Sequence, residues 1–338
     1  EQKMAALETY GLSDEHGQPL QVRAILHASG MAAISTLMLT LAQSGQQIFT
    51  HHSLYGGTQE LSDKVLPSFG ISTLFNAMKN MDEVEAILQR EKNIALMYLE
   101  TPANPTLQCV DLQRLIALAH QYHIPVAVDN TFATPYLQQP FAFGADYVLH
   151  STTKFLNGHG TALGGVILGR DLDHMNTRMT KYHRLLGGSA NAFDAFLLSN
   201  GIKTLELRMQ RHVENAVRLA DFLSQHPQVI QVNYPGLPSH PDHAVCMKQM
   251  KAGGAVMSFE VKGGYEAGKQ LINRLQLCSH AVSLGTCETL LTHPASTTHI
   301  GVAPEQRRRS GITDGLIRMS VGIENEADLI QDLDQALR

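Results

Sequence analysis

The feature that most constrains this sequence is an alternation between residues 22 and 168, where short, mostly apolar runs are separated by amphipathic stretches. The runs 47–50, 72–75, 94–99, 126–128, 147–150 and 165–168 are too short for buried helices, and several are rich in β-branched and aromatic residues. They read as strands. Between them, 81–89 places Met81, Val84, Ile87 and Leu88 on one helical face. The stretch 112–122 does the same with Leu112, Leu115, Ile116 and Ala119, behind Asp111, a residue suited to capping a helix. Strands alternating with helices predict an α/β architecture with a mostly parallel sheet covered by helices.

The second half has a different rhythm. A long helical pattern runs over 201–224 and stops before His226-Pro227. A strand follows at 231–234, closed by Pro235-Gly236; another at 255–261 ends at Gly263-Gly264, and a helix is expected over 265–275. The change of rhythm places a domain change between residues 200 and 215. A length of 338 residues suits two domains. The organisation read here is a large domain over 1–205 and a smaller C-terminal domain over 206–338.

Composition removes several classes of function. With 43% hydrophobic and 17% charged residues, the chain has material for large cores. Its net charge is −5, and the one dense basic run, Arg307-Arg308-Arg309, is too short for a nucleic-acid surface. No uncharged apolar stretch approaches the ~18 residues of a membrane span, and Glu1-Gln2-Lys3-Met4 lacks the layout of a signal peptide. Four cysteines, at 109, 246, 278 and 287, form no CxxC pair and suggest reduced thiols in a cytoplasmic protein. The 17 histidines are scattered, and neither His51-His52 nor His240 with His243 has further partners at metal-ligand spacing, so no metal site is expected.

The chemistry lies where strands end. Three successive strands run into Glu100-Thr101-Pro102-Ala103-Asn104-Pro105, Asp129-Asn130-Thr131 and Ser151-Thr152-Thr153-Lys154. In open α/β sheets ligands bind at the carboxyl ends of strands. If these strands are neighbours, Glu100, Asn104, Asp129 and Lys154 converge on one rim. An aspartate ending a buried strand needs a cationic partner. A lysine preceded by three hydroxyl residues on the next strand end is equally unusual. Pyridoxal phosphate (PLP) would explain both, with a pyridine nitrogen for the carboxylate, an aldehyde for the lysine and a phosphate for hydroxyls and N–H groups. The plainer alternative is that Asp129 caps a helix and Lys154 is a solvated surface residue. Ala28-Ser29-Gly30-Met31-Ala32-Ala33 adds a small-residue turn opening an apolar helix, which offers N–H groups to an anion. Neither GxGxxG nor GxxxxGK[ST] occurs there.

A longer set of motifs follows in order. It comprises Ser29-Gly30-Met31, Tyr55-Gly56-Gly57-Thr58, Glu100 to Pro105, Val128-Asp129-Asn130-Thr131, and His150 to Phe155 with Gly158-His159-Gly160. Ser283-Leu284-Gly285, His293-Pro294-Ala295-Ser296 and Gly311 to Gly322 complete it. Over essentially its whole length the chain resembles the Cys/Met-metabolism family of PLP enzymes, which includes methionine γ-lyase, cystathionine γ-lyase, cystathionine γ-synthase, cystathionine β-lyase and O-acylhomoserine sulfhydrylase. The resemblance implies the fold type I PLP architecture, with a mostly parallel seven-stranded sheet in a large domain and a smaller α+β C-terminal domain that closes the substrate site. It also implies a homodimer or homotetramer with shared active sites and an amino-acid substrate.

The resemblance implies residue roles. Lys154 holds the cofactor's aldehyde and moves protons on the substrate. Asp129 salt-bridges the pyridine nitrogen, and Thr131 contacts the ring or supports Asp129. Tyr55 stacks on the ring and helps proton transfer, unless it is a packing tyrosine. The N–H groups of Gly30 and Met31, with the hydroxyls of Ser151 and Thr153, hold the phosphate. Arg318 grips the substrate carboxylate with a two-pronged fork, assisted by Asn104, Ser283 and Leu284; the alternative is an exposed strand arginine. Glu100 lies near the site without an assigned role. The family's N-terminal arm carries a Tyr-x-Arg pair that reaches the neighbouring subunit. It would precede Glu1, and Arg23 does not stand in its context. Residues 10–21, with Gly11, Asp14, Gly17 and Pro19, read as a surface loop.

The reaction type is less sharply written. Gly57, where many bacterial methionine γ-lyases have cysteine, and the segment 183–188, which lacks a Lys-Asp pair, depart from that subgroup. Residues 281–285 and 293–296 look like γ-lyases, whereas 187–196 looks more like γ-synthases. The expectation is γ-elimination on methionine or cystathionine. The alternatives are γ-replacement on an O-acylhomoserine, cystathionine β-lyase chemistry, and a non-catalytic homologue.

Overall fold

The structure, a computed structural model, describes residues 1–298, 300, 305, 307 and 311–338. Of the basic run at 307–309, Arg308 and Arg309 lie outside the described residues. The chain forms two compact units. The first comprises Glu1–Thr101, Val110–Asn157 and Thr161–Ile202; the second comprises Pro102–Cys109, Gly158–Gly160 and Lys203–Arg338. Two short pieces of the first half thus group with the second unit, an arrangement that a single cut along the sequence does not describe.

The first unit is built on seven strands: β1 (Arg23–His27), β2 (Gln47–His51), β3 (Ser72–Asn76), β4 (Ile94–Glu100), β5 (Val126–Asp129), β6 (Tyr147–Ser151) and β7 (Gly165–Gly169). Their order across the sheet is β1-β7-β6-β5-β4-β2-β3. Only β7 runs against its neighbours; the other pairs are parallel. The interior strands β5 and β7 are buried at every position, the mark of a sheet covered on both faces. The edge strand β3 is partly exposed throughout. Six of the strands extend one residue beyond the apolar pattern, and in β2 to β6 that residue is polar: His51, Asn76, Glu100, Asp129 and Ser151. The backbone ladder continues where the apolar pattern stops, so these side chains are held in register rather than on free loops.

Helices follow the same logic. Asp111 accepts the backbone N–H of Arg114 and caps the helix Leu112–Gln121. Residues 10–21 form the expected exposed loop, in which Asp14 accepts the N–H groups of His16 and Gln18. The helical pattern expected over 201–224 is interrupted. One helix, Ala192–Gly201, ends in a tight turn at Ile202–Thr204, and the long helix is Leu205–Gln225. At this break Gly201 packs on the backbone of Asn157; a Cβ there would stand 2.2 Å from the Asn157 carbonyl oxygen.

The second unit carries β8 (Val229–Asn233), β9 (Val256–Val261), β10 (Ser279–His280), β11 (Leu290–Thr292) and β12 (Leu316–Ser320), in the order β10-β11-β12-β9-β8. The helices Leu205–Gln225, Gly264–Arg274 and Glu326–Leu337 bury Leu219, Leu271 and Leu333 with Met257, Phe259, Ile317 and Met319 of its sheet. No helix among the described residues is long and apolar enough to cross a membrane. All four cysteines are free thiols.

Candidate active site

β4, β5 and β6 are adjacent and parallel, and Glu100 pairs directly with Asp129. The strand ends carrying Glu100 and Asp129 are thus neighbours, and β6 ends beside them at Ser151, three residues before Lys154. Asn104 lies four residues on from Glu100, in the piece Pro102–Cys109 that groups with the second unit.

Asp129 is a buried carboxylate held on both oxygens. Tyr98 Oη donates to Oδ2 at 3.2 Å, while Thr131 donates its backbone N–H (3.0 Å) and its hydroxyl (2.5 Å) to Oδ1. The Thr131 oxygen in turn accepts the backbone N–H of Ser151 at 2.9 Å, tying the end of β5 to the end of β6. Burial, aided by the negative charges of Asp129 and Glu100, pushes the Tyr98 phenol well above its ordinary range. Tyr98 therefore stays a donor and fixes the carboxylate's plane. Sequence reasoning missed it, because a tyrosine between Met97 and Leu99 reads as one more buried strand residue.

Glu100 gains a definite contact. Its Oε2 accepts the backbone N–H of Tyr55 at 2.8 Å, and its own N–H donates to His51 Nε2 at 2.9 Å. Burial lowers the His51 pKa to about 4, so the ring is a neutral acceptor near pH 7. His51 is thus a strut for β4. Among the described residues no group of three or more His, Cys, Asp or Glu side chains is placed to hold a metal.

The turn before the helix Gly30–Leu41 has the form of an anion site. Ser29 caps the helix, with Oγ accepting Ala32 N–H and its carbonyl accepting Ala33 N–H. The N–H groups of Gly30 and Met31 have no intrahelical partner in such a first turn. The turn is pressed between two strands. A Cβ on Gly30 would stand 3.0 Å from Ser151 Cβ and 3.1 Å from its Oγ, and one on Gly165 would stand 2.3 Å from the Ser29 carbonyl oxygen. Met31 and Tyr55 meet over Gly57, where a Cβ would stand 2.7 Å from Tyr55 Cε1 and 2.9 Å from Met31 Sδ. The Tyr55 side of this turn is open, the residue being 47% exposed.

Ser151 leads into a tight turn, with Lys154 N–H donating to the Ser151 carbonyl at 3.3 Å and Asn157 N–H to the Thr152 carbonyl at 3.1 Å. Phe155 and Leu156 behind Lys154 are buried, and Lys154 itself is half-buried. The Thr153 hydroxyl accepts Gly164 N–H at 3.0 Å and lies 3.3 Å from the Gly164 carbonyl. It braces β7's approach as well as facing this turn. The first unit thus contains a restrained carboxylate, a lysine three residues past the end of β6, an open aromatic ring and a glycine-lined N–H cradle. That donor set fits PLP.

The remaining expected residues lie in the second unit. Arg318, buried on β12, donates through Nη2 to the carbonyls of Val282 (2.9 Å) and Ser283 (2.7 Å) and through Nη1 to Asn104 Oδ1 at 3.4 Å. Leu284 is buried, and the N–H of Gly285 donates to Ser320 Oγ at 2.8 Å, fixing the 283–285 segment on the same strand. The structure therefore joins Asn104, Ser283 and Arg318 in one cluster.

A sequence model of the family described as Cys/Met metabolism PLP-dependent enzyme matches residues 15–338. The chain is 46% identical over 338 residues to an L-methionine gamma-lyase of Fusobacterium nucleatum subsp. nucleatum, covering 100% of this chain and 82% of that protein. Among solved structures, a cystathionine gamma lyase from Micromonospora echinospora is 40% identical with a TM-score of 0.91, covering 99% of this chain and 84% of that one. A cystathionine gamma synthase from Xanthomonas oryzae pv. oryzae is 36% identical with a TM-score of 0.91, covering 99% and 83%.

Proposed function

The chain belongs to the Cys/Met-metabolism family of PLP-dependent enzymes, and on that premise we propose that it performs γ-elimination on a sulfur amino acid, methionine or cystathionine. With one water consumed, the products are 2-oxobutanoate, ammonia and a thiol. The observation that carries this reading is the 46% identity to an L-methionine gamma-lyase along the whole chain. PLP, when bound, supplies an electron sink that loosens the bonds at the substrate Cα.

The chain's own residues divide the remaining work. Asp129, fixed by Tyr98 and Thr131, keeps the pyridine nitrogen protonated. The Gly30 and Met31 N–H groups, with the Ser151 and Thr153 hydroxyls, hold the phosphate. Lys154 anchors the aldehyde at rest; its freed amine then moves the Cα proton and next a Cβ proton. The Tyr55 phenol, its backbone held by Glu100, gives a proton to the departing sulfur. Arg318 grips the α-carboxylate, with Asn104, Ser283 and Leu284 shaping its surroundings.

A second reading, γ-replacement on an O-acylhomoserine, draws on the likeness to the Xanthomonas synthase. Release of 2-oxobutanoate from L-methionine, L-cystathionine and O-acetyl-L-homoserine, each alone, separates the two. Rapid release from methionine or cystathionine is expected. Product only from the acylated homoserine, and only with cysteine or sulfide added, would replace the lyase reading. Pyruvate from cystathionine would point to β-chemistry instead.

The same proposal includes a homodimer or homotetramer in the cytoplasm. Leu185, Leu186, Phe193 and Phe196 are large, exposed apolar side chains, of the kind an interaction surface uses. The free thiols suit a reducing compartment. Light scattering giving a monomer would contradict the assembly.

A further inference from the structure

We infer that Glu8 is a positioning residue for the cofactor site, clamping the ends of β4, β5 and β6 from behind; the inference rests on the PLP reading above. Glu8 closes the helix Gln2–Glu8 and is fully buried. Its Oε1 accepts from Asn130 Nδ2 at 3.1 Å and bonds His150 Nε2. Asn130 also donates to the Gln138 carbonyl at 2.8 Å and accepts from Gln138 Nε2 at 3.0 Å, and Gln138 Nε2 reaches the Thr101 carbonyl at 3.1 Å. One buried network thus links Thr101, Asn130 and His150.

Each of those residues is the chain neighbour of a site residue. Thr101 follows Glu100, Asn130 follows Asp129 and His150 precedes Ser151. Successive residues of extended chain point to opposite faces. Extended pairing continues past β5, since Asn130 N–H donates to the Leu149 carbonyl at 2.9 Å. Thr131 therefore joins the β5 and β6 ends on the side of Asp129, and Glu8 joins them on the other. The helix carrying Glu8 is itself fixed. Met4 is buried, Lys3 donates to Ser199 Oγ at 2.7 Å, and Gln139 donates to the carbonyls of Leu7 and Glu8.

The network is a poor device for stability alone. Glu8 Oε2 and His150 Nδ1 are buried with no hydrogen-bond partner among the described residues. Buried polar atoms without partners are costly, and an apolar pair of the same shape would do at least as well for stability. Such costs persist where the geometry they impose is used. Here that geometry is the separation between Asp129, at the ring end of the cofactor, and Ser151, at its phosphate end.

The test is PLP titration of the cofactor-free full chain, read by the visible absorbance band, for the unsubstituted protein, Glu8→Gln and Lys3→Ala. Glu8→Gln is expected to lose at least ~10-fold in PLP affinity and to shift the band or its pH titration, while far-UV circular dichroism stays unchanged. Lys3→Ala loosens the same helix without touching the network and should leave affinity and band as they were. A folded Glu8→Gln with unchanged affinity and band overturns the inference, as does an equal loss in Lys3→Ala. If Glu8→Gln is not recovered folded, His150→Asn removes the same bond from β6 and is read identically. Failure of the unsubstituted protein to bind PLP would instead overturn the cofactor reading.

Discussion

The two units solve the problem of placing functional groups in different ways. In the first, the groups sit on adjacent strand ends, and backbone pairing sets their spacing: Glu100 faces Asp129, and Thr131 bridges to Ser151. In the second, Arg318 gathers partners from distant parts of the chain, Asn104 at one remove and the carbonyls of Val282 and Ser283 at another. A ladder-fixed set tolerates little change, because moving one strand end moves its neighbours. A loop-gathered set can be altered piece by piece. The difference explains why cofactor chemistry is sharply written in this chain while the choice of substrate is not.

The largest expected effect breaks the comparison on the side of the first unit. Lys154→Ala should lower kcat by at least ~10³-fold, since the group proposed to move both protons is gone; single-turnover kinetics with methionine checks it. Asp129→Ala should lose ~10²–10⁴-fold in turnover and weaken PLP binding, leaving most of the fold, as absorbance and circular dichroism together would report. Arg318→Lys tests the second unit. A point charge cannot reproduce the fork, so kcat/KM should fall by ~10²-fold, mostly through KM, with PLP affinity unchanged. A matching loss of PLP affinity would blur the distinction between the units.

Smaller effects sharpen the contrast. Gly57→Ala places a methyl 2.7 Å from the Tyr55 ring and 2.9 Å from Met31 Sδ. The ring must tilt, and kcat should fall by ~10-fold with PLP still bound. In the second unit, Asp332 accepts the N–H groups of Gln276 (2.8 Å), Leu277 (3.0 Å) and Cys278 (2.8 Å). Burial alone would raise its pKa, but these donors and Gln335 outweigh it and hold the carboxyl below its usual value. A depressed carboxyl contributes stability above its unfolded pKa of about 4 and loses it as pH falls further. Asp332→Asn should therefore lower the melting temperature by a few degrees at pH 7, with the gap closing below about pH 4 and PLP affinity unaffected.

Much of the first unit was legible because its chemistry and its pattern coincide. The runs ended at Val128 and His150, and the next residues, Asp129 and Ser151, are the ones proposed to hold the cofactor. The strands proved one residue longer, since a backbone ladder is indifferent to side-chain polarity. Tyr98 and His51 were not legible as struts: one reads as a core tyrosine and the other as half of a histidine pair. Glu8 carries no signal in the sequence, and only its burial in the structure reveals its contacts. Asn104 and Glu100 are close in sequence but are assigned to different units. The chain between them changes unit after Thr101, and no local pattern announces that.

The central claim is that the first unit holds PLP on Lys154, and borohydride reduction followed by peptide mapping tests it most directly. The account predicts a yellow protein that bleaches on reduction and carries one pyridoxyl group on the peptide containing Lys154. A label on another lysine, or a protein that stays colourless with added PLP, would contradict it.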